Sequence, residues 1–229
     1  DDLQCYRNYL AENPGEWKLL DGLCRVTISR FYRDRRVFSN LGAHVFPELL
    51  ELTRQQGGRS LSCWCIGAAS GEEPYSVSLL WSLSGFAEQQ TTLRILATEV
   101  DRRMIALAET ACYPAASLRE LPPGWREKTF CRKHDLFCLE ERHRKPVRFL
   151  QQDIRTKQPP GPFHLIFCRN LVFTYYTPDL QKEIMARILG RLRPGGALVI
   201  GSHEHLPDGA TTGLSHWVPN VEAIYRFAG

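Results

Sequence analysis

Segments typical of β-strands and of α-helices alternate along most of this chain, and this alternation limits its fold more than any other feature. The predicted strands are apolar runs at 61–66, 93–98, 147–150, 163–168 and 197–201. The predicted helices between them have apolar residues at helical spacing and lie at 73–86, 102–110 and 178–192. Strands that alternate with helices predict an α/β fold, with a doubly wound, mostly parallel sheet covered by helices on both faces.

The two ends of the chain and one internal stretch depart from this alternation. Residues 3–24 predict one or two short helices with a break at 13–15, a short N-terminal helical segment. Residues 218 and 221–227 predict paired strands, which would give the sheet a C-terminal antiparallel edge. A small β hairpin insertion is predicted before residue 150, with 136–139 paired to 147–150 around a charged turn.

Length and composition are those of a soluble globular protein. The chain has 229 residues, 43% of them hydrophobic and 24% charged. No apolar run approaches the roughly 18 residues of a membrane span, and the first residues do not form a signal peptide, so a cytoplasmic location is expected. The eight cysteines include no C-x-x-C pair. We expect them to be reduced and buried, with no metal site.

The loop after the first predicted strand favours a cationic ligand over a phosphate. Its small residues, among them Gly67 and Ala69, allow a ligand to approach the backbone just before a helix begins. The string G-A-A-S-G-E-E is not the G-x-G-x-x-G pattern of dinucleotide-binding loops. Glu72 and Glu73 would repel a phosphate at this helix N-terminus, which disfavours a dehydrogenase.

Polar side chains also follow three other predicted strands, at the edge where α/β proteins bind ligands. Glu99 has the spacing of a carboxylate that accepts both hydroxyls of a ribose. Asp153 follows the third strand, and Arg169 and Asn170 follow the fourth. A ribose-bearing cation without phosphate indicates S-adenosylmethionine, which carries a sulfonium and an ammonium group. Taken singly, Glu72 could be a helix-terminal acid, and Glu99 or Asp153 a helix cap.

Several ordered motifs resemble the CheR-type chemotaxis-receptor glutamate methyltransferases. The motifs are ISRFYRD, SGEEPYS, ATEVD, FHLIFCRN and LRPGG, and the resemblance covers roughly residues 25–229. It implies a Rossmann-like seven-stranded sheet and the cofactor S-adenosyl-L-methionine (SAM), with S-adenosyl-L-homocysteine as product. It also implies a remnant of an N-terminal helical domain at 1–26 and a SAM-dependent methyltransferase domain at 27–229, with an inserted β subdomain at about 129–150.

The same resemblance assigns site residues. The implied cofactor contacts are Thr27, Ser29, Arg33, Gly67, Ala69, Glu72, Glu99, Asp153, Ile154, Arg169 and Asn170. The implied catalytic residues are Arg54 and Tyr175, which would orient an acceptor carboxylate that is already ionised at neutral pH. Both could instead be structural, and the adjacent Tyr176 could face the site in place of Tyr175.

Departures from the family pattern concern the methyl acceptor more than the cofactor. The usual A-T-D-I-D reads A-T-E-V-D, and the segment after Asn170 is one residue longer than R-N-x-x-I-Y-F-D and lacks its final acid. The expected function is methylation of a protein glutamate carboxylate, in a chemoreceptor or related signalling protein. Two alternatives stay open. One is a different protein or a small carboxylate as acceptor, and the other is a catalytically weak SAM-binding signalling module.

A basic stretch suggests the chemistry of the partner. Residues 119–148 hold nine basic and five acidic side chains, in a chain whose formal net charge is +4. Such a stretch attracts an acidic protein surface, although it could equally be a solvated face. We therefore expect an acidic protein acceptor, no nucleic acid, no membrane insertion and a monomer.

Overall fold

The computed structural model describes residues 2–23, 29–88, 90–209, 212–219 and 221–229. The strands in these ranges are β1 (Ser60–Ile66), β2 (Thr92–Glu99), β3 (Cys112–Pro114), β4 (Phe130–Lys133), β5 (Leu136–Leu139), β6 (Val147–Gln151), β7 (Phe163–Cys168), β8 (Leu192–Ile200), β9 (Leu214–His216) and β10 (Ile224–Phe227).

The α-helices in the same ranges are α1 (Asp2–Glu12), α2 (Glu16–Leu23), α3 (Arg35–Asn40), α4 (Phe46–Gln55), α5 (Glu72–Leu83), α6 (Arg102–Thr110), α7 (Trp125–Thr129), α8 (Glu141–Arg144), α9 (Val172–Tyr175) and α10 (Pro178–Leu189). A π-helical turn, Leu41–Val45, joins α3 to α4. None of the helices in the described ranges is both long and apolar enough to cross a membrane.

Seven strands form the main sheet, in the order β6-β2-β1-β7-β8-β10-β9. The pairs β6/β2, β2/β1, β1/β7 and β7/β8 are parallel. Strand β10 is antiparallel to both β8 and β9. This arrangement confirms the predicted α/β fold with a mostly parallel seven-stranded sheet and an antiparallel C-terminal edge.

Both faces of the central strands are covered, so these strands are predominantly apolar. All six residues of β7 are buried. One apolar cluster packs α4 and α5 against one face, and a second cluster packs α10 against the other. Strands buried on both faces appear in sequence as continuous apolar runs, which is why the central strands could be located from the sequence.

The C-terminal part of the main sheet differs in its boundaries from the prediction. The strand before β10 is β9, so residue 218 lies in the connection rather than in a strand. Strand β8 begins at Leu192, so the Pro194-Gly195-Gly196 segment lies inside it and does not close a helix. An irregularity in the pairing of β7 with β8 and a φ of 78° at Gly195 accommodate this segment.

A second, three-stranded antiparallel sheet has the order β3-β5-β4. The predicted pairing of 136–139 with 147–150 is wrong, because β5 pairs with β3 and β4, whereas β6 pairs in parallel with β2 in the main sheet. A tight turn between β4 and β5, with His134 at a φ of 53°, makes the local pairing possible. The two turn residues, His134 and Asp135, do not form one of the Asn-Gly or Asp-Gly pairs that mark two-residue hairpins, so the turn could not be located from the sequence.

The small sheet also contains a disulfide bond between Cys112 and Cys138, which are 26 residues apart in sequence. The expectation that all eight cysteines are reduced is therefore wrong for these two. They lie directly opposite each other on β3 and β5. The pairing of β3 with β5 brings the two cysteines together. Because this pairing could not be predicted from the sequence, neither could the disulfide bond.

His164, on β7, makes the stability of the fold depend on pH. Its Nδ1 accepts a hydrogen bond from the Ser62 backbone N–H at 3.1 Å and lies 2.8 Å from the Ser62 hydroxyl. Burial, followed by the charge of Arg193, lowers the pKa of His164 from 6.5 to about 4. As the pH falls, His164 is therefore protonated near pH 6.5 in the unfolded chain and only near pH 4 in the folded chain.

We expect the free energy of unfolding to fall as the pH falls through this window, by about 2 kcal/mol at pH 5 from His164 alone. Urea unfolding of the wild type and of His164→Asn at pH 7 and pH 5 measures the difference. Asparagine keeps an acceptor for the Ser62 N–H but takes up no proton. An equal loss in both proteins would mean that His164 is not the responsible group.

Candidate functional site

A cleft opens at the carboxyl ends of β1 and β7, and it encloses about 520 Å³ of empty space, part of it open to solvent. Ligands bind in this position in open α/β sheets, where the strand order reverses. The cleft brings together six of the residues predicted to contact the cofactor. Its lining consists of Ser29, Arg30, Arg33, Phe38, Gly67, Ala68, Ala69, Glu73, Arg169 and Asn170.

The loop between β1 and α5 forms the floor of the cleft. Gly67 has a φ of 71°, and a Cβ atom there would lie 2.6 Å from a methyl carbon of Leu171, so glycine is required. The backbone N–H groups of Gly67 and Ala68 both donate to the Thr98 carbonyl, which ties the loop to β2. From the small sheet, the Tyr113 hydroxyl donates to the Ser70 carbonyl at 2.7 Å. These bonds hold the loop in place from two sides.

The first turn of α5 presents two acids with different surroundings. Glu72 is 3% exposed, and the Ser70 hydroxyl lies 2.9 Å from both of its carboxylate oxygens. Burial raises the pKa of Glu72, and hydrogen bonds to the carboxylate oppose the rise. Glu73 lines the cleft itself, and burial raises its pKa while Arg169 opposes. The sequence analysis singled out Glu72, whereas Glu73 is the acid in the lining.

Arg169 links three segments beneath the cleft. Its side chain is 2% exposed, with Nη1 3.1 Å from Glu73 and Nη2 2.5 Å from Asp34. Nη2 also donates to the Arg33 carbonyl at 3.0 Å, and the guanidinium lies over the Phe38 ring. Its Nε is buried and has no hydrogen-bond partner in the part of the chain that the structure describes. A buried donor without a partner is costly, so a ligand acceptor in the cleft would stabilise it.

Glu99 is folded back onto the backbone. Its Oε2 accepts from the Ala69 N–H at 2.9 Å, and its Oε1 accepts from the N–H groups of Val100 and Asp101 at 2.8 and 3.0 Å. The longer side chain retracts in this way to fit where the family has aspartate. Because a carboxylate oxygen has two acceptor positions, Oε2 keeps one for a ligand hydroxyl.

The end of β6 lies beside Glu99, because the Gln152 N–H donates to the Glu99 carbonyl at 2.9 Å. The Asp153 carboxylate is paired with Arg155 at 2.7 Å, and Ile154 is buried in the second apolar cluster. Gln152 Oε1 is buried and has no partner among the described residues. Sequence reasoning missed Gln152, although its place just after a strand of the sheet was a usable signal.

Glu204, 7% exposed, joins the loops after β7 and β8. It accepts hydrogen bonds from the N–H groups of Asn170 and Gly201 at 2.8 and 2.7 Å and from the Thr174 hydroxyl at 2.6 Å. Asn170 has a φ of 54°, a strained conformation that these bonds maintain. The sequence analysis gave Glu204 no role, although it is an acid at the carboxyl edge of the sheet.

The two predicted catalytic residues lie in different places. Arg54 is in the last turn of α4, its side chain is 68% exposed, and it lies 3.3 Å from Glu51. Helix α4 leads into the start of β1, and this seven-residue strand spans about 20 Å before the cleft. The structure therefore does not bring Arg54 to the cleft.

Tyr175 ends α9, on the segment that follows Asn170, and it is 56% exposed. Tyr176 packs instead against the second apolar cluster. Of the two tyrosines, Tyr175 is the one whose ring is free to approach a second molecule. Thr27, a predicted cofactor contact, lies outside the described residues.

The site fits the cofactor that the sequence predicts. Arg169 Nε, in the lining, is a buried donor without a partner among the described residues. Gln152 Oε1, a buried acceptor that likewise has no partner in these ranges, lies beside Glu99 and outside the lining of the cleft. The lining combines the Glu73 carboxylate with the guanidinium groups of Arg30, Arg33 and Arg169, so it offers partners for both the positive groups and the carboxylate of SAM. Among the residues that the structure describes, no cluster of three or more His, Cys, Asp or Glu side chains could hold a metal ion.

Several known proteins are similar to this chain. The family described as "CheR methyltransferase, SAM binding domain" matches residues 27–218. A probable chemotaxis protein methyltransferase of Rhizobium etli is 32% identical over 188 residues, 79% of this chain and 68% of the relative. The chemotaxis protein methyltransferase of Listeria monocytogenes is 31% identical over 193 residues, 84% of this chain and 71% of the relative. The solved N-methyltransferase NodS from Bradyrhizobium japonicum is 16% identical, covers 86% of this chain and 97% of its own, and gives a TM-score of 0.46.

Proposed function

This chain belongs to the CheR methyltransferase family, and we propose that it transfers a methyl group from SAM to a glutamate carboxylate of a chemoreceptor or related signalling protein. It is a SAM-dependent methyltransferase, with residues 27–218 matching the SAM-binding domain. The observation that carries the proposal is the cleft lined by Glu73 and Arg169, in which one carboxylate lies beside a buried Nε donor that has no partner among the described residues. A cytoplasmic location and a monomeric state stay predictions.

We expect the cofactor to be held by the lining of the cleft together with Glu99, at the end of the neighbouring strand β2. Gly67 and Ala69 let it approach the backbone, and Glu99 Oε2 accepts one ribose hydroxyl. Glu73 lies where a positive group is favoured, and Arg169 Nε is a donor for a carboxylate. Burial raises the pKa of Glu73, so as the pH falls this carboxylate takes up its proton at a higher pH than an ordinary glutamate does. We expect its attraction for the cofactor to weaken at that higher pH.

The chemistry needs alignment more than proton transfer. SAM supplies a methyl group on a sulfonium, which reacts by in-line displacement. A glutamate acceptor has a pKa near 4.3 and is already ionised, so no general base is needed. The protein must orient the carboxylate and exclude water, which together lower the barrier substantially. We propose that Arg33, in the cleft, and the exposed Tyr175 take the orienting role, since Arg54 lies at the other end of β1.

Removing the Glu99 carboxylate tests the ribose assignment. We expect Glu99→Ala to weaken SAM binding about 10- to 100-fold, because a hydrogen bond to a charged group contributes about 1.5–3 kcal/mol. Glu99→Asp, which restores the family residue, should bind SAM at least as tightly as the wild type. Titration calorimetry measures both, with the exposed Glu88→Ala as control. Unchanged affinity in Glu99→Ala would refute the assignment.

Labelled cofactor identifies the acceptor. The protein is incubated with methyl-labelled SAM and either chemoreceptor fragments or a cell extract. A protein-bound label that alkali releases as methanol indicates a methyl ester and supports the proposal. Label on a small carboxylate, or tight binding of SAM without transfer to any acceptor, would contradict it.

The basic stretch provides a test of the acidic acceptor surface. Arg142 and Lys145 are 66% and 71% exposed and pair with Glu140 and Glu141. Arg142 also donates to the Lys128 carbonyl at 3.1 Å, within the same basic stretch, whereas Arg144 donates to the Glu109 carbonyl on α6 and is left unchanged. We expect Arg142→Glu combined with Lys145→Glu to lower kcat/KM for the acceptor about 10-fold at low salt, and less at high salt. The affinity for SAM should not change.

The matched control is Lys157→Glu with Lys182→Glu, which changes the net charge equally at two other exposed positions. A similar loss in the control would indicate a general charge effect. No loss in either variant would mean that this stretch does not meet the acceptor.

A further inference from the structure

Three cysteines stand in register across the small sheet. Cys112 on β3 lies opposite Cys138 on β5, and Cys138 also lies opposite Cys131 on β4. Side chains directly opposite each other on antiparallel strands lie on the same face of a sheet. The three sulfur atoms therefore share one face, with Cys138 between the other two.

This face is the outer one. The alternate residues of the same strands, Ala111, Tyr113, Phe130 and Leu139, are buried, and Phe31 packs against two of them. Because successive side chains of a strand point to opposite faces, the cysteines point away from this core. Cys131 is exposed and has a free thiol, whereas Cys138 is covered by its neighbours and bonded to Cys112.

From this register we infer that Cys138 is the shared member of a thiol–disulfide exchange site, bonded in turn to Cys112 or to Cys131. The Cys131 thiolate attacks the Cys138 sulfur, a new Cys131–Cys138 bond forms, and the Cys112–Cys138 bond breaks. Cys112 leaves as a thiolate and takes up the proton that Cys131 lost. One disulfide and one thiol are present before and after, so the exchange needs no oxidant.

The spacing of the strands allows Cys138 to form a disulfide with Cys112 or with Cys131, but it does not allow a disulfide between Cys112 and Cys131. The Cα atoms of Cys112 and Cys138 are 3.9 Å apart. Opposite residues on an antiparallel pair such as Cys131 and Cys138 lie about 4.5–5.5 Å apart, which a disulfide can bridge. Cys112 and Cys131 are two strands apart, about 9–10 Å, which is too far without movement of the backbone. Every disulfide in this row must therefore include Cys138.

The site suits small anionic disulfides such as glutathione disulfide. Lys133, two residues after Cys131 on β4, lies on the same face as the three cysteines, is exposed, and attracts anions. When all three thiols are reduced, two of them transfer two electrons and two protons to glutathione disulfide, which gives one protein disulfide and two glutathione thiols. A metal is not the alternative, since none of the cysteine, histidine and acid groupings in the described ranges could hold one.

Disulfide mapping tests the inference on the full chain, in a Cys5→Ser, Cys24→Ser background. The protein is equilibrated with glutathione disulfide, quenched with acid, alkylated and digested with trypsin. Arg119, Arg126 and Lys128 separate Cys112 from Cys131, and Arg132 and Lys133 separate Cys131 from Cys138, so every pairing gives a distinct linked peptide.

We expect both pairings in the parent protein, each within about tenfold of the other. Cys112→Ser should form only the Cys131–Cys138 bond, Cys131→Ser only the Cys112–Cys138 bond, and Cys138→Ser neither. The inference is overturned if Cys131 stays fully alkylated in the parent protein and in Cys112→Ser. It is equally overturned if Cys138→Ser joins Cys112 to Cys131. Because Cys131 is exposed, its serine variant keeps the fold and serves as the reference.

Discussion

Replacing Arg169 by methionine is expected to lower the free energy of unfolding by about 3–5 kcal/mol and to abolish measurable SAM binding. The guanidinium is buried between the carboxylates of Asp34 and Glu73, and it also holds the Arg33 carbonyl. Without it, two acids face each other in a buried space with no positive charge between them. Methionine replaces the arginine chain as far as Nε and lacks the rest of the guanidinium, so the charge, the hydrogen bonds and the contact of that group with Phe38 are lost.

Denaturant unfolding and SAM titration measure the two effects of Arg169→Met. The control is Arg54→Met, whose ion pair with Glu51 is at the surface, with the two side chains 68% and 53% exposed. Exposed pairs contribute about 0–1 kcal/mol, so the control should stay close to the wild type. Adding Glu73→Gln to Arg169→Met should restore part of the stability, because it removes one of the two unpaired acids. Equal stability of Arg169→Met and its control would show that the guanidinium does not bridge these acids.

Glu204→Gln is expected to cost about 2–4 kcal/mol of stability and to lower kcat more than it lowers SAM affinity. The Glu204 carboxylate accepts three hydrogen bonds, from Asn170, Gly201 and Thr174. Glutamine has the same shape, and its oxygen can face the two N–H groups while its NH2 group donates to the Thr174 hydroxyl, but it carries no charge, so the charge-assisted hydrogen bonds become neutral ones of about half the strength. The segment that carries Tyr175 should loosen, while Gly67 and Glu99 stay in place.

Steady-state kinetics, with SAM affinity measured separately, distinguishes these effects. Glu183→Gln is the matched control, because Glu183 is an exposed acid on α10 paired with Arg187. A fall in SAM affinity as large as the fall in kcat would place Glu204 with the cofactor rather than with the acceptor segment.

Strand and helix positions could be predicted where burial on both faces leaves a continuous apolar run, as in β1 and β7. The cofactor side of the cleft could be predicted for a related reason, since residues just after parallel strands must meet at one edge. The pairing of β5 could not, because several short strands of three to five residues could pair with it and the sequence carries no register signal. Glu204 was missed because two of its three hydrogen-bond donors are backbone N–H groups. All residues except proline have such a group, so the residue types in the sequence do not indicate these partners.

Arg54 illustrates a different limit. An arginine at a helix end can have many roles. Whether it can contact a ligand in the cleft depends on which edge of the sheet the helix end reaches. Helix α4 ends just before β1 begins, so its last turn lies at the edge opposite the cleft. The arginines that the fold brings to the cleft, Arg33 and Arg169, belong to segments that follow or face the carboxyl ends of strands.

The hydrogen bond from Tyr113 to the Ser70 carbonyl has a consequence for protein engineering. The small sheet looks like a module that could be exchanged between relatives to redirect acceptor choice. However, Tyr113 belongs to its strand β3 and supports the loop that forms the floor of the cleft. A chimera that replaces the whole small sheet would therefore alter methyl-donor binding as well as acceptor choice, whereas a graft limited to β4 and β5 would leave that support intact.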